Sequence, residues 1–447
     1  MLTRKIDKYL DNYFKDSRNA LLITGARQVG KTYSIRNFGQ SFECFIEINF
    51  IEHPEASAIF ENVSGVNDIL LRLSAFTSKK LIKGKTLIFF DEVQRCPELI
   101  TAIKFLVDEG SYRYILSGSL LGIELNDVRS VPVGYMGVKE MYPLDFEEFV
   151  TCLGVGNDVI ESIRNAWLKR IEVDSFLHTK LMQLFRLYLV VGGMPAAVDK
   201  YIETNNLQNV MTLQKDIITL YKRDIAQYDK DNKLKIEEIF SLIPSELNAK
   251  NKRFILKSLN QNARMERYLD SFLWLKDAGV ALPVYNVEEP KAPLLLSRSR
   301  NLFKLFQNDV GLLAAQYAEG IQLKILNGDN NINFGSVYEN MIAQELTAHG
   351  FGTYYYNNKK RGEIDFVIEN NGEVTLLEIK SGKDYEFHRA LSNILSCEEY
   401  HFKDAIVFNN DNMKVKNGVA YAPIYMIMFV VKNESCPLIY KSPWTGM

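Results

Sequence analysis

Short apolar runs punctuate the first third of the chain. Ala20-Leu21-Leu22-Ile23-Thr24 is one, and Thr86-Leu87-Ile88-Phe89-Phe90 is another. Runs of this length without polar alternation read as strands buried on both faces. Strand candidates fall near 20–24, 44–49, 86–91, 112–117 and 137–141, with helical stretches between them. That alternation predicts an α/β domain with a parallel sheet over residues 1–150. From about 155 the pattern turns helical, and residues 151–233 are expected to form a helical lid region. Val190-Val191-Gly192-Gly193-Met194-Pro195 interrupts it as a tight turn. His178 has no catalytic partner nearby in sequence and reads as a surface or packing residue.

Residues 234–290 read as helix, helix, strand. Ile236 to Phe240 opens one helix, Asn262 to Ala278 forms another, and Val280 to Tyr285 is extended. That order predicts a winged-helix-like unit. Between Ser245 and Tyr268 it holds Lys250, Lys252, Arg253, Lys257, Arg264 and Arg267 against Glu246 and Glu266. This basic stretch is either a DNA-facing helix or a solvated face of a docking unit. Residues 291–447 read as helix (337–349), strands (351–357, 363–369, 373–380), helix (384–396) and strand (404–408).

The chemistry begins where the first strand ends. Gly25-Ala26-Arg27-Gln28-Val29-Gly30-Lys31-Thr32 fits the phosphate-binding loop G-x-x-x-x-G-K-[ST]. Glycines let such a loop close around phosphate oxygens, and amides at the following helix start face the anion. Lys31 is expected to reach the β- and γ-phosphates of ATP, and Thr32 to hold Mg²⁺. Thr86 to Glu92 is a strand ending in two carboxylates, of the kind that runs beside the phosphate loop. Asp91 is the expected metal carboxylate, and Glu92 the base that polarises the attacking water. The strand Tyr112 to Leu116 ends in Ser117-Gly118-Ser119, where the Ser117 hydroxyl is placed to sense the γ-phosphate. Arg113 and Arg129 near this domain read either as charges that serve its function or as plain surface charges.

A second set of charges lies in the last third. Asp365 sits mid-strand in Gly362 to Ile368, and Glu378 and Lys380 share one face of Val374 to Lys380. Two carboxylates facing each other across strands suit a divalent metal, with the lysine stabilising a nucleophilic water or phosphate charge. Glu339 on the preceding helix is a further candidate metal acid, and Lys359-Lys360-Arg361 a candidate phosphate-backbone contact. The spacing D…[DE]-x-K and the element order match the core of the restriction-endonuclease-like fold.

Composition narrows the class. The chain has 447 residues, 47% hydrophobic and 24% charged, with a formal net charge of −2. Any nucleic-acid surface is therefore local. Cys44, Cys96, Cys152, Cys397 and Cys436 are scattered, and no pair has metal-ligand spacing. Free thiols in a reducing cytoplasm are expected. The N-terminus shows no apolar signal region, and Ile424 to Val431 is too short to span a bilayer. A soluble protein without a membrane partner is expected.

Taken together, these motifs resemble the prokaryotic AAA-type ATPases that carry a C-terminal domain of unknown function with a nuclease-like core. The resemblance rests on the phosphate loop, on Asp91-Glu92-Val93-Gln94, and on Tyr142-Pro143-Leu144-Asp145-Phe146-Glu147-Glu148-Phe149. It extends through Val191 to Pro195, Trp274 to Gly279, Tyr338-Glu339-Asn340 and the Asp365…Glu378-x-Lys380 set. Members often carry Gly-Arg before the Pro-Leu-Asp-Phe stretch, whereas here Gly134 is followed by Tyr135, so an arginine acting in trans has no assigned position. Two functions stay open. One is Mg-dependent ATP hydrolysis coupled to DNA binding or processing by the C-terminal domain. The other is an ATP-operated switch that docks a protein partner through a catalytically silent C-terminal domain.

Overall fold

The computed structural model describes residues 2–118, 134–228, 232–249, 252–255, 258–259, 265–329 and 334–432. Ser119, Arg129, Lys250, Lys257, Arg264 and Cys436 lie outside them.

Five parallel strands form the N-terminal sheet: β1 (Ala20–Thr24), β2 (Cys44–Asn49), β3 (Thr86–Asp91), β4 (Arg113–Ser117) and β5 (Met136–Glu140). Their spatial order is β2-β3-β4-β1-β5. β4 therefore separates β3 from β1, and β3 meets the phosphate loop only at its carboxyl end. Every residue of β1 and β3 is buried. Their odd and even positions enter different cores, with Leu21, Ile23, Leu87 and Phe89 on one face and Leu22, Ile88 and Phe90 on the other. This two-sided burial is why the strands read as unbroken apolar runs.

The first of those cores does not stop at the domain edge. It runs through the middle helices Asn157–Lys169, Ser175–Val191, Pro195–Thr204 and Leu207–Tyr228. It then reaches Phe306, Phe366 and Phe408 of a second, eight-stranded sheet. That sheet contains β6 (Ala281–Val287), β7 (Arg298–Gln307), β8 (Tyr354–Asn358), β9 (Gly362–Asn370), β10 (Glu373–Ile379), β11 (Asp404–Asn409), β12 (Lys414–Lys416) and β13 (Val419–Pro423). Its order is β12-β13-β11-β10-β9-β8-β6-β7. β6 pairs antiparallel with β7 and parallel with β8. The boundary expected at 290 thus falls between two hydrogen-bonded strands of one sheet. The strand expected to close a winged helix is a rung of the C-terminal sheet.

The basic stretch is also rearranged. Lys252 pairs with the buried Glu339. The Arg253 guanidinium lies 6.0 Å from the centre of the Tyr355 ring. Both turn toward the C-terminal sheet, and residues 252–255 are not helical. The helix Leu269–Asp277 is shorter than expected and follows a 3₁₀ turn at Met265–Arg267.

Asp145 and the helix Gly335–Ala348 join the two sheets. Asp145 caps the helix Phe146–Cys152, accepting from Glu148 N, in a capping box with Glu148. Lys5 Nζ donates to Asp145 Oδ2 at 2.7 Å, and Phe146 N donates to Glu345 Oε1 at 2.7 Å. Burial works against the Asp145 charge, but Lys5 and His349 overcome it and hold the carboxyl well below its ordinary range. Glu345, buried beside Asp145, is pushed up to about 8. His178 is half-buried, with Nδ1 3.1 Å from the Tyr425 hydroxyl. Cys44, Cys96, Cys152 and Cys397 are free thiols. Among the described residues, no single helix is long and apolar enough to cross a membrane.

The turn at Gly192-Gly193 shows how closely the parts approach. Gly193 N donates to Asp309 Oδ2 at 2.6 Å, and Leu144 N donates to Gly193 O at 2.7 Å. A Cβ at Gly193 would overlap the Leu144 carbonyl oxygen, and backbone cannot swing aside. Gly193→Ala should destabilise the protein by about 1–3 kcal/mol, as forced overpacking does. The check is a chemical-denaturation midpoint compared with Ala196→Gly, which makes no such overlap.

Candidate nucleotide site

β1 ends at Thr24 and the helix Lys31–Gly39 begins at Lys31. Between them the loop turns through Gly25, Gln28 and Gly30, with φ of +136°, +69° and +92°. Glycine reaches the first and last of these without strain. A Cβ at Gly25 would also overlap the Met141 carbonyl oxygen. Lys31 Nζ donates to the carbonyls of Gly25 and Ala26, each at 2.9 Å. Burial lowers the Lys31 ammonium to about 8, against the pull of Glu92 and Asp91. The rest of the loop is held from outside. Arg27 pairs with Asp224, and Tyr221 OH donates to Arg27 O at 3.1 Å.

Three strand ends converge on one carboxylate. Thr32 Oγ1 donates to Asp91 Oδ2 at 3.0 Å, and Asn49 Nδ2 donates to the same oxygen at 3.2 Å. Glu92 N donates to Asp91 Oδ1 at 3.1 Å, and Ser117 Oγ donates to that oxygen too. Ser117 is fully buried behind Asp91. Its contact is with this carboxylate. Asn49 was not singled out from the sequence. Its signal was its place at the end of β2, level with Asp91.

Glu92 sits just past β3 in the left-handed region, with φ 59° and ψ 46°. A non-glycine residue held there is strained, and such strain clusters at functional sites. Gln94 Nε2 donates to Glu92 Oε2 at 2.6 Å. Glu92, Lys31 and Thr32 line a cleft of about 370 Å³ whose opposite wall is Pro195, Ala196 and Asp199. The turn that interrupts the helical region therefore delivers that wall. A hydroxyl and a carboxylate 3.0 Å apart are hard oxygen donors that suit Mg²⁺.

The C-terminal charges are assembled differently. In the β9–β10 register Leu377 faces Phe366, so Glu378 and Asp365 come next along the pair. Ile379 N donates to Asp365 Oδ2 at 2.8 Å, and Lys380 Nζ bonds Glu378 Oε1 at 2.7 Å. Burial, then the Glu378 and Glu339 charges, push Asp365 well above the carboxylate range. Glu339 does not join the pair as a metal acid. Lys252 takes its Oε1, and Lys304 Nζ lies 3.4 Å from its Oε2. Lys304 is fully buried and also bonds Glu363 at 2.8 Å. Burial works against the Lys304 charge, but Glu339, Glu363 and Asp365 hold it well above its ordinary value. Among the described residues, no group of three or more histidine, cysteine, aspartate or glutamate side chains is arranged to hold a metal. The expected set Asp365, Glu378 and Glu339 does not fit one, because lysine ammoniums already neutralise the third acid. Lys304 was legible in principle as a charge inside the apolar run Phe303 to Phe306. Arg361, expected at a phosphate backbone, instead stacks 5.1 Å from the Tyr400 ring centre and bonds its hydroxyl.

Comparison with known proteins agrees with the N-terminal geometry. An AAA domain matches residues 17–150. Two domains of unknown function, DUF8612 and DUF4143, match residues 182–324 and 334–427. No curated protein sequence matches the chain. Similar solved structures include the Walker-type ATPase of Pyrococcus abyssi, at 14% identity and TM-score 0.41, over 71% of this chain and 96% of that one. ADP-form ORC2 of Aeropyrum pernix is similar at 13% identity and TM-score 0.29, over 75% of this chain and 93% of its own. AMPPCP-bound DnaA of Aquifex aeolicus is similar at 11% identity and TM-score 0.30, over 62% and 90%. Residues 17–150 match the model of an AAA domain.

Proposed function

We propose that this chain binds ATP with Mg²⁺, hydrolyses it, and uses the cycle as a switch read out by its C-terminal domain. The observation that carries the first part is the Thr32–Asp91 contact at the mouth of the loop. Those two side chains would hold the metal, which supplies charge neutralisation for the phosphates. Lys31 gives up its loop carbonyls to meet the terminal phosphates. Glu92, fixed through Gln94, accepts a proton from the attacking water.

Support for a switch comes from what borders the cleft. Pro195 and Ala196 follow directly on the turn whose Gly193 amide is held by Asp309, next to the start of the helix Val310–Ala315. Movement of the cleft wall is thereby tied to the second sheet. The C-terminal charges favour a silent docking module for a protein partner, since Lys252 and Lys304 occupy Glu339 and two residues of the basic stretch turn inward.

Three outcomes are expected. Lys31→Ala should lose tight ATP binding, whereas Glu92→Gln should keep it and lose turnover by about 10²–10⁴-fold, the usual worth of a general base. Wild-type turnover in Glu92→Gln sinks the role given to Glu92.

ATP binding near pH 8 should also take up on the order of half a proton, because phosphate raises a Lys31 ammonium that burial had lowered to about 8. Calorimetry in two buffers of different ionisation enthalpy reads this, and equal enthalpies would exclude it.

With Mg²⁺ or Mn²⁺, the wild-type chain should cleave single- or double-stranded DNA no faster than Asp365→Ala, while both hydrolyse ATP alike. Metal-dependent cleavage lost only in Asp365→Ala would restore the nuclease reading. Steeply salt-dependent DNA binding, weakened by reversing Lys252 and Arg253, would restore the DNA-facing one.

A further inference from the structure

Arg4 lies outside every motif of nucleotide hydrolysis, yet it reaches the phosphate loop. It is 7% exposed and lines the nucleotide cleft beside Gly30 and Lys31. Each guanidinium nitrogen has its own acceptor. Nη1 donates to Val29 O at 3.1 Å, Nη2 to Tyr142 O at 2.8 Å, and Nε to Glu148 Oε1 at 3.1 Å. Glu148 is itself fixed by Lys5 N at 2.6 Å and Asp145 N at 3.1 Å. A planar fork held at three corners is a rigid object.

The contact with Val29 has a consequence for the next residue. A trans peptide carries its C=O and N–H on opposite sides. Drawing the Val29 carbonyl toward Arg4 turns the Gly30 N–H the other way. Gly30 is in the left-handed region at φ +92° and opens the helix whose amides meet the anion. Were the peptide to flip, a carbonyl oxygen would face the phosphate instead of an amide. Glycine at position 30 offers no side chain to resist that flip. Arg4 supplies the resistance from outside the loop.

We propose that Arg4 is a positioning residue for the phosphate loop, holding the Val29–Gly30 peptide in the orientation that presents the Gly30 amide to the β-phosphate. This rests on the ATP-binding reading above. Because the β-phosphate is common to ADP and ATP, loss of Arg4 weakens both by the same factor. Because the loop's anchor is Glu148, that residue acts on nucleotide from outside the cleft, through Arg4.

The experiment is titration of ADP and ATP with Mg²⁺ into the full chain, wild type against Arg4→Ala, Arg4→Lys and Glu148→Gln. Arg4→Ala should weaken ADP and ATP equally, by about tenfold or more, the worth of a charge-assisted hydrogen bond. Binding stoichiometry should stay at the wild-type value, and millimolar guanidinium should recover part of the affinity. Arg4→Lys, which keeps the charge but reaches one acceptor, and Glu148→Gln should each give a smaller loss of the same kind. If Arg4→Ala does not fold, these two variants carry the test. Unchanged affinity in the folded variants overturns the proposal. So does a fall in stoichiometry with unchanged affinity, which would mark Arg4 as a purely structural bolt. Failure of the wild-type chain to bind either nucleotide overturns the ATP reading, and this proposal with it.

Discussion

One carboxylate ties the nucleotide domain together. Asp91 receives Thr32 from the helix after the loop, Asn49 from β2, Ser117 from β4 and the amide of Glu92. Four elements therefore take their register from a single side chain at the carboxyl edge of the sheet. Such an edge is where open α/β sheets bind ligands. Hydrogen bonds to a charged acceptor are worth about 1.5–3 kcal/mol each, so the cluster is stiff as well as polar. The stiffness matters because Glu92, one residue on, is held in a left-handed conformation that the backbone would not choose alone.

A second constraint works at the scale of the whole chain. One apolar core passes from the first sheet, through the middle helices, to the second sheet. The helix Gly335–Ala348 lies across that core, with Glu339 at one end facing lysines and Glu345 near the other facing Phe146. Glu339 is answered by two lysine ammoniums, whereas Glu345, pushed toward its neutral form, accepts from the Phe146 amide. Two hydrogen bonds, Arg4–Glu148 and Gly193–Asp309, join the surroundings of the nucleotide cleft to that core.

The seam also explains the segment Pro143 to Phe149. Read as sequence it is a string of acids and aromatics. In the fold each has a separate task. Asp145 and Glu148 cap a helix and receive Lys5 and Arg4. Phe146 packs edge-on and Phe149 at a tilt against Tyr188 of the middle helices, with ring centres 5.5 and 4.9 Å away. The chain's N-terminal residues become part of the nucleotide domain because this segment holds them there.

Sequence by itself determined the elements whose signal is local. The five N-terminal strands stand within a residue or two of their expected places, and in β1 and β3 burial on both faces leaves a continuous apolar run. The phosphate loop was legible because its glycines answer to backbone angles set within eight residues. The pairing of Glu378 with Asp365 followed from strand alternation and a short hairpin. Tertiary structure alone decided what those charges meet. Nothing local says that β6 and β7 extend the C-terminal sheet, since edge pairing depends on which strand packs beside them. Nothing local sends Lys252 and Lys304 to Glu339, because ion pairs between residues 87 and 35 positions apart are settled by the folding of the whole core. The same holds for Arg4, whose three acceptors lie 25, 138 and 144 positions away. A charge in sequence is only a charge. Its partner, and hence its chemistry, is fixed by the burial that packing imposes on it.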